Sequence, residues 1–203
     1  AGKTHIRPSS VFPFEQVDGF DPNCVRNPTE PHDLRSIKQF MAEENPFCLV
    51  IALTEPHVPW VMGDASKYPT KKMKLPPNIA DTPRTREDFS RYLAEITYMD
   101  EQVGRILNAL KQLNLDKETA VIFTSDHGYL LGEHNFWQKG NLREEVTRVP
   151  LIIKSPESSP NRNSSIVELV DIFPTACELA GLPIPKSVQG KSLVPILHKL
   201  ENK

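Results

Sequence analysis

The chain has 203 residues, a net charge of −2 and a hydrophobic fraction of 38%. This composition is typical of a globular protein and gives no reason to expect a nucleic acid or an anionic membrane as a partner. No apolar run approaches the roughly 20 residues that a membrane-spanning helix needs. The length suits one large domain or part of a larger one.

The first predicted elements are a loop, a helix and a buried strand. Residues 7–28 are rich in Pro, Ser and Asn and predict a loop. A helix follows near residue 31, because Leu34, Ile37, Phe40 and Met41 recur on one face. The run FCLVIAL, residues 47–53, predicts a strand buried on both faces, since it is short and continuously apolar.

A long helix and two more strands are predicted downstream. Helical periodicity extends over residues 85–113, where the apolar positions are Phe89, Leu93, Ile96, Val103, Leu107 and Leu110. TAVIFTS and RVPLIIKSP predict strands, and residues 167–182 predict a helix that Gly181 closes. One more short helix is predicted near the end. Strands that alternate with helices indicate an α/β layered fold with a largely parallel central sheet.

Polar groups follow two of the predicted strands at their carboxyl ends, where α/β sheets bind ligands. His57 follows the first strand, and Asp126 and His127 follow TAVIFTS. Each has an ordinary alternative, because an aspartate at a strand end can cap a turn and a loop histidine can be structural. Lys3 and His5, two residues apart, would point to the same side of an extended segment.

Six segments together resemble the sulfatase family of the alkaline-phosphatase-like superfamily. In chain order they are GKTH, LTEPHVPW, YLAEITYMDEQVGRILNALKQL, VIFTSDHGYLLGEHNFWQKG, RVPLIIKSP and ELVDIFPTACELAGL. The form SDHGYLLGEH…WQK is most similar to iduronate-2-sulfatase and choline-sulfatase. The resemblance implies the superfamily's layered fold and hydrolysis of a sulfate ester, on a sulfated small molecule or carbohydrate.

The resemblance also implies roles for individual residues. Asp126 and His127 would be two ligands of a Ca²⁺ or Mg²⁺ ion, and Lys3 and Lys139 would bind the sulfate oxygens. His57 would donate a proton to the leaving alcohol or hold the sulfate beside it. His5 would remove the remaining hydroxyl proton of the catalytic aldehyde hydrate.

The sequence departs from the family in its nucleophile. Sulfatases make a formylglycine from a Cys/Ser-x-Pro/Ala-x-Arg motif, and none of Cys24, Cys48 and Cys177 lies in one. Cys48 and Cys177 are expected to be buried structural thiols. Two further metal-binding aspartates are also expected upstream of Ala1. Residues 1–203 are therefore expected to be the central and C-terminal part of a sulfatase domain, N-terminally incomplete, inactive alone and partnered by the missing N-terminal part.

Two other functions stay open at this stage. A phosphodiesterase or phosphonate hydrolase of the same superfamily would use the same groups to bind a tetrahedral dianion. A catalytically silent binding or structural fragment is the alternative from another class. Family resemblance favours a secreted, periplasmic or lysosomal location, and the sequence does not decide between Ca²⁺ and Mg²⁺.

Overall fold

The computed structural model describes residues 1–3, 8, 10–20, 31–43 and 46–198. The chain divides into two compact units, residues 1–116 and 117–203. No helix within the described ranges is long and apolar enough to cross a membrane.

Two helices form the framework of the first unit. Helix α1 covers Arg35–Met41, and Ile37 and Met41 on its inner face are 0% and 2% exposed, as predicted. Helix α2 covers Pro83–Gln112 and begins two residues earlier than predicted. Its start is fixed by Thr82, whose Oγ1 accepts a hydrogen bond from the Thr85 backbone N–H. Two short 3₁₀ turns, Ala65–Lys67 and Thr70–Lys72, precede α2.

The predicted apolar face of α2 is wrong in part. Leu107 is 43% exposed, and the buried positions are Ser90, Ala94, Glu95, Gln102, Ala109 and Leu110. The reason is that α2 packs against loop backbone as well as against side chains. The Ser90 hydroxyl, for example, donates to the carbonyl oxygen of Tyr68 at 2.8 Å. Backbone neighbours require small or polar side chains, which an apolar periodicity does not reveal.

The predicted strand at residues 47–53 is extended but is not buried on both faces. Gly2 and Ala52 form a parallel bridge, in which the Lys3 N–H donates to the Ala52 carbonyl oxygen at 3.0 Å. A Cβ atom on Gly2 would lie 2.1 Å from that oxygen, so this contact requires glycine. Val50 is 46% exposed and Cys48 is also exposed, because alternate side chains of an extended segment point outward. The expectation of a buried Cys48 is therefore wrong.

The described part of the second unit, residues 117–198, contains four short strands and three α-helices. Strand β1 (Val121–Thr124) pairs with β4 (Leu151–Lys154), and β2 (Leu130–Leu131) pairs with β3 (Trp137–Gln138). The helices are α3 (Glu144–Thr147), α4 (Ile172–Leu179) and α5 (Val194–Leu197).

The helix predicted at residues 167–182 is confirmed with a later start. A 3₁₀ turn, Leu169–Asp171, precedes α4. Gly181 has a φ of 67° and closes the helix, and the Leu182 N–H then donates to the Cys177 carbonyl oxygen at 2.8 Å. Cys177 is only half-buried, so its thiol is less enclosed than expected.

Both strand pairs of the second unit are antiparallel. Parallel neighbours need a long crossover connection, usually a helix. Residues 125–150, which join β1 to β4, hold only the β2–β3 hairpin, a 3₁₀ turn and the four-residue α3. The mixed α/β character is confirmed, whereas among the described residues the parallel pairing is a single bridge. A largely parallel sheet remains a prediction.

Candidate functional site

Asp126 and His127 lie directly beyond the carboxyl end of β1, as predicted. The Asp126 side chain is 74% exposed, and its Oδ1 accepts the His127 backbone N–H at 3.0 Å. The Ser125 hydroxyl donates to the His127 carbonyl oxygen at 2.8 Å. These local bonds fix the turn and leave the carboxylate at the surface.

The tautomer of His127 follows from its two neighbours. Nδ1 lies 2.8 Å from the Gly128 carbonyl oxygen, which can only accept, so Nδ1 carries the hydrogen. Nε2 lies 2.9 Å from the Lys139 ammonium, which can only donate, so Nε2 carries the lone pair. The structure thus brings together three of the predicted site residues, Asp126, His127 and Lys139.

Gly128 allows the turn to pack against α3. Its N–H donates to the Val146 carbonyl oxygen at 2.7 Å, and a Cβ atom would lie 2.0 Å from the Glu145 carbonyl oxygen. Close approach of two backbones therefore explains the glycine of Asp-His-Gly. His134 lies near the same helix, with its Nε2 3.1 Å from Glu145 Oε1, which is a structural contact.

Asp126 and His127 fit two neighbouring positions of a divalent cation site. Asp126 Oδ1 and His127 Nε2 are 3.6 Å apart, close enough to be adjacent ligands of one ion. Within the described part of the chain, no group of three or more His, Cys, Asp or Glu side chains could hold a metal. Cation binding by this pair therefore stays a prediction.

Lys3 and His57 lie in the first unit, near the parallel bridge. Lys3 is half-buried and follows Gly2 in the bridged segment, whereas His57 lies five residues beyond Ala52. The His57 N–H donates to the Thr54 carbonyl oxygen at 2.9 Å. His57 Nδ1 donates to the Val58 carbonyl oxygen at 2.6 Å, which leaves Nε2 for a ligand. The predicted base His5 falls outside the described residues.

The turn that carries His57 also contains one member of a buried pair that the sequence motifs do not predict. Glu55, whose side chain is 2% exposed, places Oε2 3.1 Å from Nε2 of His32, which is 6% exposed. Burial raises the pKa of Glu55, but the hydrogen bond from His32, a backbone hydrogen bond and the charge of His32 together outweigh it, so the pKa is lowered. No local sequence pattern links His32 to Glu55, because they are 23 positions apart. The one local feature is that Glu55 directly precedes Pro56 and His57.

A second buried carboxylate supports the same loop from α2. Glu95 is 1% exposed, and its Oε2 accepts the backbone N–H groups of Met62 and Gly63 at 3.0 and 3.1 Å. Burial raises the pKa of Glu95, the two backbone N–H groups oppose this shift, and the charge of Glu55 adds to it. The two carboxyl groups thus have pKa values displaced in opposite directions.

Trp60 has a packing role in the loop. Its indole N–H donates to the Pro56 carbonyl oxygen at 3.0 Å, and its ring lies 5.3 Å from that of Tyr92. Trp137, in β3, is 55% exposed instead.

The sequence SSPNR, residues 158–162, fits the serine form of the formylglycine motif, although none of the three cysteines lies in such a motif. Ser158 Oγ accepts the Ser155 N–H at 2.9 Å and donates to the Ser155 carbonyl oxygen, so it stabilises a turn. This turn follows Lys154, which pairs with Val121 at the opposite end of the β1–β4 ladder from Asp126. The ladder is about 10 Å long, which separates Ser158 from the Asp126 turn.

Curated sulfatases match most of this chain in sequence. Iduronate 2-sulfatase from Mus musculus is 30% identical over 246 residues, covering 91% of this chain and 44% of that protein. Choline-sulfatase from Rhizobium meliloti is 30% identical over 185 residues, covering 77% of this chain and 36% of that protein. The chain thus spans less than half the length of either relative.

Solved structures with similar folds include sulfatases and a phosphonate hydrolase. A proposed sulfatase from Bacteroides fragilis has a TM-score of 0.68 at 31% identity, covering 83% of this chain and 40% of that chain. A protein in complex with its substrate D-glucosamine-2-N,6-O-disulfate has a TM-score of 0.50 at 35% identity, covering 57% of this chain and 24% of that chain. A phosphonate monoester hydrolase from Silicibacter pomeroyi has a TM-score of 0.55 at 28% identity, covering 68% of this chain and 28% of that chain.

The family model for sulfatases matches residues 22–182, which is more than half of the chain. The match includes the Pro-His loop and the Asp-His-Gly turn whose geometry is described above. The resemblance seen in the sequence motifs is therefore confirmed, and the chain belongs to the sulfatase family.

Proposed function

We propose that the protein containing this chain hydrolyses sulfate esters on a sulfated carbohydrate. The observation that carries this proposal is the contact of Asp126, His127 and Lys139, which sets a carboxylate, an imidazole lone pair and an ammonium side by side. This set of groups suits a divalent cation and a neighbouring anion. Family membership makes that anion a sulfate ester, and the disulfated glucosamine bound by a structural neighbour supports a sugar.

The residues present would hold the cation through Asp126 and the Nε2 lone pair of His127. Ca²⁺ or Mg²⁺ bound there would polarise the sulfate and lower its negative charge. With the cation on that lone pair, the Lys139 ammonium, which lies 2.9 Å from Nε2, would move to a sulfate oxygen. Lys3 would neutralise another oxygen.

We assign proton transfer to the two histidines. Nδ1 of His57 is committed to the Val58 carbonyl, so Nε2 is the atom that would protonate the leaving alcohol. The alternative role for His57 is to hold the sulfate. His5 would take up the proton released as sulfate departs. The family's nucleophile is a formylglycine, and the full-length protein would have to supply it together with the remaining metal ligands. The fold we propose for the domain is the superfamily's layered fold with a largely parallel central sheet.

The first rival function is hydrolysis of phosphonate monoesters or phosphodiesters. The similarity to a phosphonate monoester hydrolase favours it, since both reactions require binding of a tetrahedral anion. The second rival is a silent binding or structural role for residues 1–203 by themselves. For the location, we propose a secreted, periplasmic or lysosomal compartment on family resemblance.

A substrate comparison distinguishes these functions. The full-length protein that contains this chain should release sulfate from aryl sulfates and sulfated glucosamines, with kcat/KM higher for sulfate esters than for matched phosphonate monoesters. The reverse order would favour the phosphonate hydrolase. No turnover of either class, with the protein folded and supplied with Ca²⁺ or Mg²⁺, would favour the silent role.

A further inference from the structure

The His32–Glu55 pair is defined by the 3.1 Å contact of His32 Nε2 with Glu55 Oε2, and Glu55 belongs to the turn that carries His57. Glu55 is 7% exposed as a whole residue and stands two positions before His57. Carboxylates are almost never buried to this degree unless they are paired. Replacing a buried charged pair with apolar side chains is often neutral or stabilising, so stability alone is a weak reason for such a pair.

Aromatic rings fix the position of His32. Its imidazole stacks on Phe20, with ring centroids 4.5 Å apart and an interplanar angle of 16°. The ring of Tyr98, from α2, lies 6.1 Å away on a tilted plane. His32, which lies before α1, therefore contacts both Phe20 and α2 as well as Glu55.

The backbone transmits this fixed position to His57. The turn closes with the His57 N–H bonded to the Thr54 carbonyl oxygen, and Glu55 lies inside that closed turn. Beyond it, the Trp60 indole N–H is bonded to the Pro56 carbonyl oxygen. Glu55 points inward, whereas the His57 ring is outside, with Nδ1 bonded to Val58. A displacement of the Glu55 carboxylate would therefore move the turn that aims His57 Nε2.

We propose that the His32–Glu55 pair positions His57 for proton transfer to the leaving alcohol, with Glu55 as a positioning residue that does not touch the substrate. This inference rests on the proposed function of His57 as an acid. A misplacement of a catalytic group by about 1 Å can lower the rate by about 10²-fold, so the rate should depend strongly on how this turn orients His57.

The test uses the full-length protein and two sulfate esters, one with an acidic phenol and one with an alkyl alcohol as leaving group. Glu55→Gln keeps the size of the side chain and its hydrogen-bonding capacity but removes the charge. We expect it to lower kcat on the alkyl ester by about 10²-fold, while kcat on the acidic phenol ester falls much less. KM should change little, because sulfate binding is left intact. His32→Gln should also lower kcat more on the alkyl ester than on the phenol ester. It replaces Glu55→Gln in the test if that variant fails to fold.

The control variant is Ile37→Val, since Ile37 is 0% exposed in α1 and removing one methylene costs about 0.5–1.5 kcal/mol. Ile37→Val should not slow hydrolysis of the alkyl ester more than hydrolysis of the phenol ester. A further readout is the NMR signal of the His57 ring, which should shift or broaden in Glu55→Gln and stay unchanged in Ile37→Val.

The outcomes separate this proposal from the proposed function. If His57→Ala shows the leaving-group dependence and Glu55→Gln slows both esters equally, the positioning role is wrong and the acid role stands. If His57→Ala slows both esters equally, the acid role is wrong and the positioning proposal fails with it. In either case, an unchanged His57 signal in Glu55→Gln and His32→Gln contradicts the positioning role, even where sulfatase activity is confirmed.

Discussion

Substitution of Gly128 by alanine should separate the Asp126–His127 turn from α3. The new Cβ atom would lie 2.0 Å from the Glu145 carbonyl oxygen and 3.3 Å from the Val146 Cα atom. Ordinary contacts of a Cβ atom begin near 3.4 Å, so the two backbones must move apart by more than one ångström. The 2.7 Å hydrogen bond from the Gly128 N–H to the Val146 carbonyl oxygen cannot survive that movement.

The expected loss of stability is the sum of two effects. Overpacking typically costs about 1–3 kcal/mol, and a lost hydrogen bond costs about 0.5–1.5 kcal/mol. The free energy of unfolding should therefore fall by about 1.5–4.5 kcal/mol, because backbone atoms on both sides leave little room for relaxation. Urea denaturation of the chain should show a lower midpoint with an unchanged slope.

Gly104→Ala is the matched control. Gly104 lies inside α2, and a Cβ atom there would meet nothing within 4 Å. Alanine is favoured over glycine in a helix interior, so this variant should gain about 0.5–1 kcal/mol. A Gly128→Ala variant within about 0.5 kcal/mol of the unmodified chain would refute the close-approach explanation, since surface substitutions without a specific role fall in that range.

Three further predictions concern buried polar groups and metal binding. Because the pKa of Glu95 is raised, its stabilising contribution is complete below its ordinary value of 4.5 and is lost as the pH rises through the raised value. The free energy of unfolding of Glu95→Gln, measured by urea denaturation, should therefore fall less far below that of the unmodified chain at about pH 8 than at about pH 4. An equal difference at the two pH values would contradict the raised pKa of Glu95. Trp60→Phe should lose about 0.5–1.5 kcal/mol with its hydrogen bond to Pro56, whereas the exposed Trp137→Phe should be nearly neutral in thermal denaturation; similar losses in both would count against the packing role. Calorimetry should show weak Ca²⁺ binding by this chain that Asp126→Ala removes, because tight sites use about 6–8 oxygen ligands, and submicromolar affinity would mean that ligands have been missed.

The apolar patterns of the sequence were sufficient to predict where most elements lie. They predicted α2 to within two residues, and they located Asp126 and His127 at the carboxyl end of β1. Both results depend on local information, because periodicity and strand ends are properties of neighbouring residues.

Three features of the structure depend on distant parts of the chain, and the sequence did not predict them. α2 buries Glu95 because loop backbone donates to it, which an apolar pattern cannot show. The His32–Glu55 pair joins residues 23 positions apart. The antiparallel pairing of β1 with β4 follows from a connection that lacks a crossover helix. The apolar pattern of the two strands is the same for parallel and antiparallel pairing, so it could not predict the orientation.

The central claim is that Asp126 and His127 bind the metal of a sulfatase site. The most direct measurement is turnover of an aryl sulfate by the full-length protein after chelation, with Ca²⁺ or Mg²⁺ then restored, for the unmodified protein and for Asp126→Ala. We predict that chelation abolishes turnover, that the cation restores it, and that Asp126→Ala stays nearly inactive with either ion. Turnover that survives chelation, or an Asp126→Ala variant as active as the unmodified protein, would contradict it.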